Sequence, residues 1–376
     1  MPRSLYLVEP VNKNPMYKQL LRPLLFRFSS DYAHEATIKL ASTVSKSPWM
    51  LKATHSLFSY SDPVLEQHFF GLTFPNPVGL AAGFDKNGTT IPVMQNLGFG
   101  FVEIGSITAN PSTGNPKPRS FRLPKDKSLI NRMGLNNDGV QTISRRLKKA
   151  KADIPIGANI AKTHNPSIIG EKAILDYKTS FDIVKHLADY VTINISCPNT
   201  TEGKTFEDPD ALDMLLSALG ITKDASLPAV LVKFSVDLSK AQLKELVEIC
   251  EKHAVDGYVA TNTSSKRENL SSSQRVIDHA GSGGLSGQAI KHKSTELIEQ
   301  IYSLTNGQKK IIGVGGVSNT IDAIEKLMAG ADLLQIYTGL VYEGPGLVRK
   351  INRELTQFLK NAGVDHIYHI RKIRDL

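Results

Sequence analysis

Within the six residues Asn194-Ile195-Ser196-Cys197-Pro198-Asn199 lie a thiol, a hydroxyl and two carboxamides, the groups of a proton-transfer site. Each amide offers two donors and an acceptor to a planar polar ligand. A thiol, with a free pKa of ~8.5, is a usable base near neutrality. Pro198 fixes its own φ and biases Cys197 toward extended backbone, which holds the thiol in one orientation. The run Tyr190-Val191-Thr192-Ile193 before it is β-branched and reads as a buried strand, so the polar residues stand where a strand ends. A buried free cysteine is more commonly only a small hydrophobe, but such a residue has no need of two flanking carboxamides.

The elements that must position this stretch repeat along the chain. Short β-rich runs occur at 78–81, 101–104, 154–160, 191–195, 229–234, 257–260, 310–314 and 333–336. Helix-patterned segments alternate with them at 89–97, 138–150, 171–188, 208–219, 239–253, 292–305, 320–328 and 346–360. Strands apolar on both faces imply a parallel sheet, and eight such units predict an α/β fold closed as a (β/α)8 TIM barrel. A doubly wound open sheet is the alternative.

In such a barrel reactive groups stand at the carboxyl ends of the strands. The residues there are Ala81-Ala82-Gly83 with Lys86, Gly105-Ser106, Asn159 with Lys162, Asn194 to Asn199, Lys233, Thr261-Asn262-Thr263, Gly315-Gly316 and Tyr337-Thr338-Gly339. Amides, hydroxyls and lysines in this density suit a planar ligand bearing carbonyls, ring N–H groups and a carboxylate. The glycine-rich segments after the seventh and eighth strands suit a phosphate held by backbone N–H groups, and Gly283 to Gly287 adds a further loop of that kind. A phosphate subsite beside a lysine at the end of a buried strand predicts flavin mononucleotide (FMN). Lys233 would be costly to bury unless negative charge develops against it, as it does on a reduced flavin.

The 376 residues carry a formal net charge of +9, compatible with nucleic acid, a membrane surface or anionic small molecules. No run of about 18 apolar residues is present. The two cysteines, Cys197 and Cys250, form no zinc-type pair, so a reduced compartment and no metal are expected. Cys250 falls in the apolar-periodic 243–250 segment and reads as helix core. Ahead of the barrel, Met16 to Phe28 reads MYKQLLRPLLFRF, amphipathic and basic with a break expected at Pro23, and a second helical pattern runs from Ala33 toward Pro48-Trp49. The pair is expected to form a membrane-surface hairpin; packing flat against the barrel is the alternative. The organisation predicted is a helical extension over 1–55 and a catalytic barrel over 56–376, joined by a linker near 56–74.

Several of these pieces together resemble the dihydroorotate dehydrogenase family. They are Gly79-Leu80-Ala81-Ala82-Gly83-Phe84-Asp85-Lys86, Gly114-Asn115-Pro116-Lys117-Pro118-Arg119, Asn131-Arg132-Met133-Gly134-Leu135-Asn136-Asn137, Asn194 to Asn199 and Gly283 to Gly287. The two N-terminal helices resemble the membrane-associated, quinone-using class 2. The resemblance implies oxidation of dihydroorotate to orotate in pyrimidine synthesis. It gives the flavin to Ala81, Ala82, Gly83, Ser106, Asn159, Asn194, Lys233, Thr261, Gly287, Gly315, Gly316, Tyr337 and Thr338. Substrate falls to Lys86, Asn131, Arg132, Met133, Gly134, Leu135, Asn194, Asn199, Asn262 and Thr263. Cys197 becomes the base at C5, and His34 and Arg122 line a quinone tunnel. Cys197 itself is the class 1 choice where class 2 carries serine, and Leu135 and the 203–206 segment also depart from class 2. A soluble fumarate-using enzyme, a tRNA dihydrouridine synthase, which is another flavin barrel with a cysteine, and a catalytically silent scaffold stay as alternatives. A monomer bound peripherally to the cytoplasmic side of a cell inner membrane is expected, without nucleic acid, and the mitochondrial inner membrane is the other location considered.

Overall fold

The computed structural model describes residues 16–196, 205–221 and 227–375. Its chain opens on a π-helical turn at Tyr17–Leu21 and helices α1 (Arg22–Phe26), α2 (Ser30–Val44) and α3 (Pro48–Phe58). Pro23 lies in the first turn of α1, where its fixed φ favours the helix and its missing N–H costs nothing. The Ser29 hydroxyl caps α2 by accepting from the Tyr32 N–H. The second helical pattern therefore divides, because Pro48 can begin a helix but cannot continue one.

The segment read as a linker contains a hairpin, β1 (Gln67–Phe69) and β2 (Leu72–Phe74). Three-residue strands are too short to show alternation, and for that reason the sequence reads as a connection there. The barrel strands follow: β3 (Val78–Leu80), β4 (Phe101–Ile107), β7 (Ile156–Ile160), β8 (Tyr190–Asn194), β9 (Ala229–Phe234), β10 (Gly257–Ala260), β12 (Lys310–Val314) and β13 (Leu333–Ile336). They pair in parallel in chain order, and β13 returns to β3 to close the barrel. The intervening helices are α4 (Ile91–Asn96), α5 (Val140–Leu147), α6 (Glu171–Val184), α7 (Pro209–Leu219), α8 (Lys240–Lys252), α9 (Gln274–Ala280), α10 (Lys291–Leu304), α11 (Thr320–Ala329), α12 (Thr338–Glu343) and α13 (Leu347–Asn361). All eight predicted strand-helix units are found. The open sheet is excluded by the closure.

Strand alternation sorts the side chains into two cores. Outward residues such as Val102, Ile104, Val191, Ile193 and Leu334 pack against the helices, with Cys250 of α8 among them as expected. Inward residues at the amino ends of the strands, Phe101, Tyr190, Leu231, Val259, Ile312 and Leu333, join Phe74 and the hairpin's Phe69 and Phe70 in a separate cluster that seals that end. Two glycines make room for it: a Cβ on Gly79 would stand 2.3 Å from the Phe101 ring and one on Gly157 2.1 Å from that of Tyr190.

A second small sheet was not legible in the sequence. Strands β5 (Ser120–Leu123), β6 (Ser128–Asn131) and β11 (Gly284–Gly287) form an antiparallel layer, with Asn131 opposite Gly284. β5 and β6 are a hairpin of four-residue strands, too short to show alternation, and β6 pairs with β11 across more than 150 residues of chain, so no local pattern announces the layer.

Candidate active site

Stepping two residues along the barrel strands from the aromatic seal changes the interior from apolar to polar. Above Phe101 comes Glu103, fully buried; above Gly157 comes Asn159; above Tyr190 come Thr192 and Asn194; above Leu231 comes Lys233; above Leu333 comes Gln335. Glu103 accepts hydrogen bonds from Asn159 Nδ2 at 2.8 Å, Gln335 Nε2 at 2.7 Å, Thr192 Oγ1 at 3.1 Å and Tyr190 OH at 3.2 Å. A buried carboxylate needs such a set of donors.

From this floor a chain of polar groups climbs to the strand ends. Ser106 Oγ donates to Asn159 Oδ1 at 2.5 Å and accepts from Asn194 Nδ2 at 3.1 Å. Asn194 Oδ1 accepts from Ser196 Oγ and Asn262 Nδ2, each at 3.2 Å, and Asn262 Nδ2 also reaches Ser196 Oγ at 2.9 Å. Tyr177 of α6 anchors the end of β8 by donating to the Asn194 carbonyl at 2.7 Å.

One cavity, enclosing about 1270 Å³ of space that is partly open to solvent, lies above this floor. Of the predicted flavin residues Ala81, Ala82, Gly83, Ser106, Asn194, Lys233, Thr261, Gly287, Gly315, Gly316, Tyr337 and Thr338 line it, and Asn159 stands directly behind Ser106. Of the predicted substrate residues Lys86, Asn131, Met133, Gly134, Leu135, Asn194, Asn262 and Thr263 line it. Cys197 and Asn199 fall outside the described residues, whose nearest neighbour to them in sequence is Ser196.

Arg132 is a correction: its side chain does not reach the cavity. Its guanidinium donates to the carbonyls of Ala280, Ser282 and Pro118 and covers the Phe121 ring at 4.7 Å, so it ties β6 to the loops outside. Lys162, at the end of β7, turns away as well and donates to the Ile168 carbonyl. His34, on α2, and Arg122, on β5, lie instead where the N-terminal helices meet the barrel. His34 meets Phe84 edge to face at 5.3 Å and stacks on Tyr337 at 6.3 Å, one ring away from the cavity. Burial, reinforced by Lys86 and Arg119, pushes its imidazole down to about 3, so it is neutral at pH 7. Arg122 lies over the Phe26 ring at 4.5 Å and donates to the Phe28 carbonyl.

The two lysines of the cavity differ. Lys86 donates to the Gly83 carbonyl at 2.6 Å, and burial, then Arg119, lowers it to about 8 against the opposing pull of Asp85, Asp31 and Glu35. Asp85 holds the loop by accepting from the Thr89 and Thr90 N–H groups. Lys233 is lowered by burial, opposed by Glu103, and its ammonium has no hydrogen-bond partner among the described residues.

The far end of the cavity is glycine-lined. A Cβ on Gly316 would stand 2.6 Å from the Lys291 Cβ and one on Gly339 2.1 Å from the Val317 carbonyl oxygen, so backbone alone faces the cavity at both. Asp322 braces this loop by accepting from the Ser318 N–H and from Gln288 and Asn319 side chains.

These features suit a flavin. Lys233 and Gln335 both line the cavity, and the Lys233 ammonium and the buried Gln335 Oε1, neither with a hydrogen-bond partner among the described residues, have hydrogen-bonding capacity left to give, while the Gly315-Gly316 and Gly339 backbone suits a phosphate. Sequence reading missed Ser196's bridging position and both Glu103 and Gln335. A signal existed for the last two, since each is a polar residue inside an otherwise apolar strand.

A closed parallel barrel with this floor, cavity and glycine-lined end has the features of a flavin-binding barrel, and the comparisons give its class. Residues 64–359 match the family model for dihydroorotate dehydrogenase. The chain is 42% identical over 349 residues to the dihydroorotate dehydrogenase (quinone) of Gloeobacter violaceus, covering 93% of this chain and 96% of that one. With the enzyme of the same name from Christiangramia forsetii it shares 41% over 344 residues, covering 91% and 99%. The crystal structure of DHODH from Eimeria tenella in complex with ferulenol superposes with a TM-score of 0.78 at 32% identity, covering 91% of this chain and 94% of that one. The chain belongs to the dihydroorotate dehydrogenase family.

Proposed function

We infer that the protein oxidises dihydroorotate to orotate in pyrimidine biosynthesis, with FMN as its flavin and a membrane quinone as the final acceptor. The observation that carries this reading is the single cavity that joins Lys233, which has no hydrogen-bond partner among the described residues, and an amide cluster to a glycine-lined end. Curated relatives at about 40% identity over most of the chain are quinone-dependent enzymes of this name, which favours quinone over fumarate.

In this reading Ala81, Ala82, Gly83, Ser106, Asn159, Asn194, Lys233, Thr261 and Gly287 hold the ring and ribityl chain, and Gly315, Gly316, Tyr337 and Thr338 hold the phosphate. When bound, the flavin supplies the acceptor for the hydride that leaves C6 of the substrate. The chain's own residues do the rest. Cys197 takes the proton from C5. Asn131, Asn194, Asn199 and Asn262 clamp the pyrimidine ring and fix the orientation that the transfer requires. Lys86 balances the substrate carboxylate, with Met133, Gly134, Leu135 and Thr263 closing around it.

The N-terminal helices carry the acceptor side. Tyr17, Arg22 and Phe26 tie them to α12 through the Val341 and Tyr342 carbonyls and the Tyr342 ring. Their other side exposes Leu20, Leu24, Phe28, Leu40, Trp49 and Leu57. Among the described residues no helix is long and apolar enough to cross a membrane, and this face suits lying on one. Neutral His34 and Arg122 would line the quinone's approach to Tyr337 and the cavity.

Anaerobic addition of dihydroorotate to the purified protein tests the reading. Bleaching of a flavin band, followed by recovery with a short-chain quinone in detergent but not with fumarate, is the expected result. A flavin band that dihydroorotate leaves unbleached would exclude the substrate, and chromatography of the released cofactor decides FMN.

A further inference from the structure

The polar floor has a direction, and one residue sets it. An ionised carboxylate only accepts hydrogen bonds, whereas a carboxamide can be turned either way. Glu103, surrounded by four donors, therefore obliges Asn159 and Gln335 to face it with their nitrogens. On the first side Asn159 is left with its oxygen toward the cavity and takes the Ser106 hydrogen. Ser106 then has only lone pairs to offer Asn194, whose oxygen in turn receives Ser196 and Asn262. The same logic leaves Asn262 Oδ1 to the Thr263 N–H at 2.8 Å. On the second side Gln335, a residue of the cavity lining, keeps a buried side-chain oxygen without a hydrogen-bond partner among the described residues. A buried acceptor without a partner destabilises the fold unless a ligand donor meets it.

We propose that Glu103 is a positioning residue: it fixes which edge each floor amide presents to flavin and substrate, and it aims the Gln335 oxygen at a ring N–H of the flavin. This rests on the functional reading above. Glu103 touches neither ligand. It acts through Asn159 and Ser106 on the substrate amides and through Gln335 on the cofactor.

The variant Glu103→Gln keeps the shape, removes the charge and replaces one acceptor by a donor, so the chain of amides can run either way. The Tyr190 and Thr192 hydroxyls can rotate to match it, and thermal unfolding should stay close to the parent's. Orotate affinity, read from the shift of the flavin's visible spectrum, should weaken by about tenfold, the loss of one oriented hydrogen bond. Gln335→Met, of similar length and without an acceptor, should weaken flavin retention by about tenfold, read as the visible absorbance per protein remaining after dilution and gel filtration. This second variant decides alone if E103Q does not fold. E103Q binding orotate within about twofold of the parent, or Q335M retaining flavin like the parent, overturns the proposal while leaving the enzyme assignment intact. A parent that shows no spectral response to orotate overturns the reading beneath it.

Discussion

The two ends of the barrel are built from the same strands, yet a step of two residues turns one into the other. Phe101, Tyr190, Leu231 and Leu333 make a dry aromatic and aliphatic seal with the β1–β2 hairpin beneath it. Glu103, Thr192 and Gln335, one step further along, make a hydrogen-bonded polar floor with the buried Lys233 beside them. The difference teaches a division of labour. The sealed end supplies burial, and in exchange the other end can hold a buried charge and, among the described residues, an ammonium and an amide oxygen without partners, each of which costs stability when no ligand is present. Lys233 and Gln335 are affordable because the seal below and the helix-packed outer core hold the strands regardless.

The largest effect should come from the open end. Cys197→Ala should lower kcat by on the order of 10²–10⁴ while flavin content and unfolding temperature stay at parental values, measured by stopped-flow bleaching. Cys197→Ser should retain activity with its optimum moved to higher pH, because a hydroxyl gives up its own proton far less readily than a thiol and so supplies less base near neutrality; an unchanged profile would exclude the thiol as base. At the sealed end the balance reverses. Phe101→Ala should cost about 3–5 kcal/mol in urea unfolding with kcat of the folded protein unaltered. A fall in kcat there would break the separation of the two ends.

A smaller effect distinguishes the lysines. With Lys86 lowered to about 8, orotate binding should weaken as pH rises through that value. Above it a proton must be taken up along with the anion, which gives a slope approaching tenfold per pH unit. Lys86→Met should bind weakly at all pH values and abolish that slope; a slope that survives places the titration elsewhere. The smallest effect is expected where neither end is touched. Trp49, 73% exposed on α3, can become Ser with a stability change within about 0.5 kcal/mol, yet vesicle co-sedimentation should fall. Unchanged co-sedimentation would remove Trp49 from the membrane face.

Much of this was legible in the residues themselves. Apolar runs alternating with helical periods determine the eight barrel units, because both patterns depend on neighbours a few residues away. The amide, hydroxyl and lysine residues at strand ends determine where chemistry must lie once the strands are parallel, and the phosphate-sized glycine segments follow the last two strands in plain order. Contacts between distant segments decided the rest. The β5–β6–β11 layer that walls the cavity joins residues 150 positions apart, and the β1–β2 hairpin is too short to alternate. Arg132 stands in a run of cavity residues, but its long side chain finds carbonyls outside, a choice made by α9 and the 280–282 loop rather than by its neighbours in sequence. Glu103 was visible as an acid in an apolar strand. Only closure of the barrel, which brings Asn159, Thr192, Tyr190 and Gln335 around it from four other positions on three strands, decided that it is satisfied, and that its charge gives the floor a direction.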